Sequence, residues 1–225
     1  LTMAQALVRH LAALRVERPD DARLFAGVFA IFGHGNVAGL GEALHAHRAD
    51  MPTYRAHNEQ AMAHAAIAYA KASMRRRMMA CTTSIGPGAT NLVTAAATAH
   101  VNRLPVLLLP GDVFASRAPD PVLQQVEDCH DGTVSANDCL RPVSRYFDRI
   151  LHPEQLLTAL PRAIHVLTDA ARAPRAVCQR RLDDVAVNLA WGIQRRGDFV
   201  IHKAAVDGAS QFDHRGGAGR SADTF

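Results

Sequence analysis

Residues 78–112 read MMACTTSIGPGATNLVTAAATAHVNRLPVLLLPGD, and this stretch decides the fold. Residues 78–84 are a short apolar run that closes on the glycine turn Gly86-Pro87-Gly88. A run of this kind, bounded by turn residues, is the signature of a buried strand. Residues 89–101 return to helical spacing, and LPVLLLPGD (104–112) is a second apolar run of strand length. Strand, glycine turn, helix and strand in this order make a parallel βαβ unit. Its strands are apolar on both faces because helices cover both.

The flanking chain repeats the alternation. Residues 3–16 (MAQALVRHLAALRV) predict an amphipathic helix with Thr2 as its N-cap. Residues 25–32 predict a strand ending in the GHGN loop, 37–47 a helix, 53–55 a short strand, and 59–74 a long Ala-rich helix. The expected architecture is an α/β fold, a parallel sheet with helices on both faces. Ligand sites of such sheets lie in the loops at the carboxyl ends of the strands. The segments 33–36, 57–60, 84–91 and 111–114 fall there. Residues 115–149 read as loop-rich. Residues 153–168 read as a helix that Pro161 should bend or split. From about residue 170 Arg becomes dense and periodicity fades, and 205–225 is expected to be disordered.

Composition narrows the function classes. Hydrophobic residues make up 48% of the 225, so the chain can bury a core, and its net charge is only +4. The triplet at 75–77 reads as a solvated helix end beside a C-terminal dipole, and no basic stripe with interleaved aromatics predicts nucleic-acid binding. No apolar run approaches the ~18 residues that span a bilayer, and no charged-then-apolar leader opens the chain, so a cytoplasmic protein is expected. The chain begins at Leu1 rather than Met, which suggests missing or processed residues. Cys81, Cys129, Cys139 and Cys178 are dispersed without zinc spacing. They fit reduced thiols, although spacing leaves a disulfide open. No dinucleotide fingerprint, Walker A loop, nucleophile elbow or H-E-x-x-H motif is present.

Taken singly, the glycine turns need be no more than turns. Glu59, at a predicted helix start directly after a strand, need only complement the helix dipole. In combination they say more. YRAHNEQAMAHAAIAYAK (54–71), TSIGPGATN (83–91) and LPVLLLPGD (104–112) occur in order. Their spacing resembles the pyrimidine-binding domain of thiamine-diphosphate enzymes of the acetolactate synthase superfamily. IFGHGNVAGLGEAL (31–44), HNEQAMAHAA (57–66), NRLPVLLLPGDVFASRAPDPVLQQVED (102–128) and DGTVSANDCLRPVSRYFDRI (131–150) narrow the resemblance. They are similar to the inositol-catabolism branch, hydrolases that open a cyclic 1,2-diketone, a trihydroxycyclohexanedione.

The resemblance implies a catalytic role for Glu59. In the family this carboxylate hydrogen-bonds a ring nitrogen of the cofactor's aminopyrimidine and promotes the imino tautomer, from which a nucleophilic ylid forms. The role calls for a well-positioned, desolvated carboxylate. Gly35 and Asn36 would line the loop after the first strand, and Pro87 and Asn91 would approach the pyrimidine. Asp112 stands where acetolactate synthases carry Gln and would bear on cofactor or substrate. Gln124 or Gln125 would also reach the site. No residue is assigned as the base for the hydrolytic water.

The resemblance runs from Leu1 to about 169 and implies a pyrimidine-binding domain over 1–169 and a divergent tail over 170–225. The GDG segment that binds Mg2+ and diphosphate in whole family members does not occur. Where a closing strand is expected, 171–185 reads ARAPRAVCQRRLDDV. A truncated or frame-shifted gene would explain both. The family's cofactor lies between two subunits, so a homodimer or higher oligomer is implied for whole members, and this piece is expected to be inactive by itself. Two other readings stay open: an acetolactate-synthase-like carboligase or lyase fragment, and a non-catalytic remnant that serves as a dimerisation module.

Overall fold

The computed structural model describes residues 1–16, 22–115, 121–128, 130–172 and 186–192. The chain opens with helix α1 (Met3–Ala13). The Thr2 hydroxyl accepts from the Gln5 amide, and the Gln5 side chain accepts from the Thr2 amide, so two N-terminal donors are satisfied reciprocally. Strand β1 (Phe25–Ala30) leads into α2 (His34–Asn36), one widened turn at Val37–Gly41 and α3 (Glu42–Ala46). The helical segment thus starts three residues before the expected 37. β2 (Thr53–Arg55), α4 (Glu59–Ala72) and β3 (Met78–Thr83) follow close to their expected bounds. The helix expected over 89–101 is two pieces, α5 (Pro87–Thr90) and α6 (Val93–Asn102), stepped at Asn91 and Leu92. β4 (Val106–Asp112) completes the central unit.

Among the described residues every strand pairing is parallel, and with β5 at Tyr146–Ile150 and β6 at Ala186–Gly192 the order is β2-β1-β3-β4-β6-β5. Side chains alternate across the sheet as a period of two requires. Met78, Ala80, Leu107 and Leu109 join a core beneath α1, α3 and the helix that follows β5, with Leu7, Leu11, Leu44 and Leu160. Met79, Cys81, Val106 and Leu108 join the opposite core, beneath α4 and α6, with Met62, Ala66, Ala95 and Ala99. Two apolar layers on one sheet confirm helices on both faces. The abundance of Ala lets α4 and α6 lie close to the strands.

Three expectations need correction. The loop-rich stretch 115–149 contains a short 3-10 helix (Ala136–Val143) and strand β5 (Tyr146–Ile150) at the sheet edge. Pro161 does not split its helix: α7 (Leu156–Arg172) runs through it unbroken. Pro161 and Leu157 are both exposed, so water can satisfy the Leu157 carbonyl that the missing N–H frees. Lastly, strand β6 (Ala186–Gly192), inside the stretch read as a divergent tail, inserts between β4 and β5. The expected disorder of 205–225, and Cys129 and Cys178, lie outside the described residues.

Candidate functional site

The carboxyl ends of β1 to β4 bring the sequence-predicted loops together. Asn58 caps α4 by accepting from the Ala61 amide at 2.9 Å, which leaves Glu59 as the first helical residue. A carboxylate there is favoured by the positive end of the helix dipole. Glu59 is half-buried, and its Oε2 accepts a hydrogen bond from Asn91 Nδ2 at 2.8 Å. Asn91 closes α5, the short helix that the glycine turn launches. The step between α5 and α6 is what turns its side chain toward Glu59.

Two glycines make the approach possible. Gly86 has φ +59°, a left-handed conformation that residues with a Cβ rarely adopt. At Gly88 an added Cβ would stand 2.2 Å from Ser84 Oγ and 3.2 Å from Glu59 Oε1. The missing methyl group therefore lets the Ser84 hydroxyl and Glu59 Oε1 pack closely against Gly88. Among the described residues no hydrogen bond reaches Oε1, so one lone-pair set of Glu59 stays available while Asn91 holds the other oxygen. Pro87, the first residue of α5, is exposed.

Asn36 is held among strand ends. It is 6% exposed, and its Oδ1 accepts from the Gly33 amide at 2.8 Å. Its Nδ2 donates to the Thr83 carbonyl at 2.7 Å and to Thr82 Oγ1 at 3.3 Å. The Thr82 hydroxyl in turn donates to the Leu109 carbonyl. Asn36 thus ties the GHGN loop to the ends of β3 and β4. Gly35 is half-buried next to it.

Asp112 is also drawn inward. Its Oδ1 accepts from the Val113 amide at 2.8 Å and from Ser135 Oγ at 3.2 Å, and Arg149 grips both oxygens. Gln125 is engaged within its own loop, accepting from the Val122 amide and donating to the Glu127 carbonyl. Gln124 is exposed and presents its backbone carbonyl to Gly86. Ser84, Gly88, Ser135, Asn137 and Arg149 were not singled out from sequence. Ser84 and Gly88 lie inside the quoted TSIGPGATN block, whereas nothing local marks Arg149, whose partner is 37 residues away.

Residues 1–131 match the family described as thiamine pyrophosphate enzyme, N-terminal TPP binding domain. The chain belongs to this family. Among curated relatives of this family, one from Bacillus cereus, named 3D-(3,5/4)-trihydroxycyclohexane-1,2-dione hydrolase 2, is 54% identical over 172 residues. Proteins named 3D-(3,5/4)-trihydroxycyclohexane-1,2-dione hydrolase from Bacillus cereus (strain AH820) and Geobacillus thermodenitrificans (strain NG80-2) are each 55% identical over 172 residues. Each match covers 76% of this chain and 27% of the relative, so the chain spans about a quarter of their length. Glu59 Oε1, which carries no hydrogen bond among the described residues, fits the role of acceptor for a ring nitrogen of the cofactor this thiamine pyrophosphate family binds. A metal ion finds no such fit: among the described residues no group of three His, Cys, Asp or Glu side chains could hold one. No helix among them is long and apolar enough to cross a membrane.

Proposed function

We propose that this chain is the N-terminal, pyrimidine-binding part of a thiamine-diphosphate-dependent hydrolase that cleaves a C–C bond of a cyclic 1,2-diketone. The relatives' shared name supports trihydroxycyclohexanedione as that substrate, and the setting proposed with it is myo-inositol catabolism. The observation that carries the reading is Glu59, held through Oε2 by Asn91 while Oε1, beside Gly88, accepts no hydrogen bond among the described residues.

Thiamine diphosphate, when bound, supplies a nucleophilic carbon for attack on a carbonyl. The work of this chain's residues is narrower. Glu59 Oε1 would accept a hydrogen bond from, or exchange a proton with, a ring nitrogen of the pyrimidine. Asn91 fixes the carboxylate plane so that this oxygen stays available. Gly88, without a side chain, leaves room for that oxygen, and Pro87 would approach the pyrimidine. Gly35, Asn36 and Asp112 hold the neighbouring strand ends in place around the site. The pyrimidine-binding domain occupies 1–169, with β6 from the divergent stretch 170–225 inserted in its sheet. Diphosphate and Mg2+ would be held by parts of the relatives that this chain does not span, so the chain binds cofactor weakly and turns over little alone. The whole enzyme would work in the cytoplasm as a homodimer or higher oligomer.

A calorimetric titration of the chain with thiamine diphosphate and magnesium, beside Glu59→Gln, tests this reading. Binding that weakens at least about tenfold in the variant is expected, the effect of losing one charge-assisted hydrogen bond. A folded chain that binds nothing, or a variant that binds equally well, would instead favour the non-catalytic reading.

A further inference from the structure

Asp112 and Arg149 face each other across a strand that belongs to neither. β4 and β5 are not neighbours. β6 lies between them, with Gly192 in register with Asp112 and Ala190 in register with Arg149. Arg149 Nε donates to Asp112 Oδ2 at 2.6 Å and Nη2 donates to Oδ1 at 3.1 Å. The Asp112 side chain is fully buried and that of Arg149 is 22% exposed. Burying a carboxylate is costly unless good geometry and further hydrogen bonds compensate. Such a pair is therefore better explained by what it holds than by net stability.

What it holds runs toward Glu59. The Ser135 hydroxyl donates to Asp112 Oδ1, and Asn137 Nδ2 donates to the Gly111 carbonyl at 2.8 Å. The start of the 3-10 helix is thereby fastened to the end of β4. The Ala136 amide donates to Glu127 Oε1 at 2.7 Å, the Val126 amide to Glu127 Oε2 at 3.2 Å, and Gln125 Nε2 to the Glu127 carbonyl. The next residue, Gln124, is held at φ +68°, a conformation that costs a residue other than glycine energy and persists only when its surroundings impose it. Its carbonyl lies where a Cβ on Gly86 would come within 2.1 Å, with Val126 Cγ1 alongside. Gly86 opens the turn that places Gly88 against Glu59.

We propose that Asp112 and Arg149 are positioning residues. Their pair anchors Ser135 and the residues after it, these seat residues 124–127 on Gly86, and the seated turn holds Gly88 and Asn91 at Glu59. Asp112 then serves the site through other residues and not by touching the cofactor. For the cofactor this rests on the proposed function, but the mechanical relay does not.

Hydrogen exchange on the whole chain separates the two. Ser135→Ala cuts the relay without stranding a charge, and Arg149→Met cuts it at the source. Both are expected to speed exchange of the amides in 122–128 and 86–91 about tenfold while α1 and β1 keep their rates. Arg149→Lys should restore part of the protection, since it keeps the charge but loses the two-pronged grip. Thiamine diphosphate affinity should fall in the same two variants, whereas Glu59→Gln should lose affinity with exchange unchanged. The relay is overturned if 86–91 keeps the wild-type rate in Ser135→Ala, or if acceleration spreads evenly over the sheet. Absence of cofactor binding by the wild type would remove the proposed function and leave the relay to be judged by exchange alone.

Discussion

Asn91 Nδ2 donates to Glu59 Oε2 at 2.8 Å, joining the residue that closes one helix to the residue that begins another, 32 positions earlier. The contact exists because a glycine turn lets α5 start close beside α4. It leaves one carboxylate oxygen for a ligand.

Glu59→Gln should leave the fold intact. The Asn58 cap remains, and the lost interaction with the helix dipole is worth about 0.3–1 kcal/mol. A urea transition within that range of wild type, together with lost cofactor binding, is the expected pair of results. A large loss of stability would mean that Glu59 is structural.

Gly88→Ala places a methyl group 2.2 Å from Ser84 Oγ. Overpacking of this kind costs about 1–3 kcal/mol. Ser84→Ala removes the colliding oxygen, so the double variant should recover much of the loss in a double-mutant cycle.

Asn36→Ala strips the Gly33 amide, the Thr83 carbonyl and Thr82 Oγ1 of their buried partner. Unpaired buried groups cost about 1–3 kcal/mol. Denaturation should show a loss in that range, larger than for Glu59→Gln.

Burial pushes the Cys81 thiol far above its ordinary range. Cys139 is exposed, with its pKa raised chiefly by partial burial and also by the Asp138 charge. A thiol reagent at pH 8 followed by peptide mapping should label Cys139 in the native chain and Cys81 only after unfolding. Native labelling of Cys81 would contradict its place in the core.

The Tyr146 hydroxyl, pushed up to about 12 by burial and by its hydrogen bond to Asp148, should lend stability that is pH-dependent. Its folded pKa lies above the ordinary value of 10.0, so the contribution is complete below pH 10 and is lost as pH rises through 12. Tyr146→Phe should flatten stability over that window, and ultraviolet titration should place the native ionisation near its upper end.

Legibility followed the kind of residue involved. The runs at 78–84 and 104–112 could be read as strands because both faces are apolar, and those strands formed with little change of bounds. β5 was missed because YFDRI carries Asp148 and Arg149 where an apolar alternation is expected. Arg149 is spent on Asp112, a pairing that no local pattern announces. β6 was missed because the dense Arg before it looked like a tail. Glu59 and Asn91 were singled out through the resemblance, but the bond between them was not.

By itself, the sequence determined the layer order, the parallel sheet and the sheet end at which the loops gather. Periodic burial is written residue by residue and survives without knowledge of partners. Only the tertiary structure decided which polar groups meet. Asn36, expected to line a loop, and Asp112, expected to bear on cofactor or substrate, spend hydrogen bonds on neighbouring strand ends and on Arg149, while Glu59 keeps an oxygen open. A hydrogen bond depends on angstrom-scale distance and direction between segments remote in the chain, and those are set only when the sheet closes.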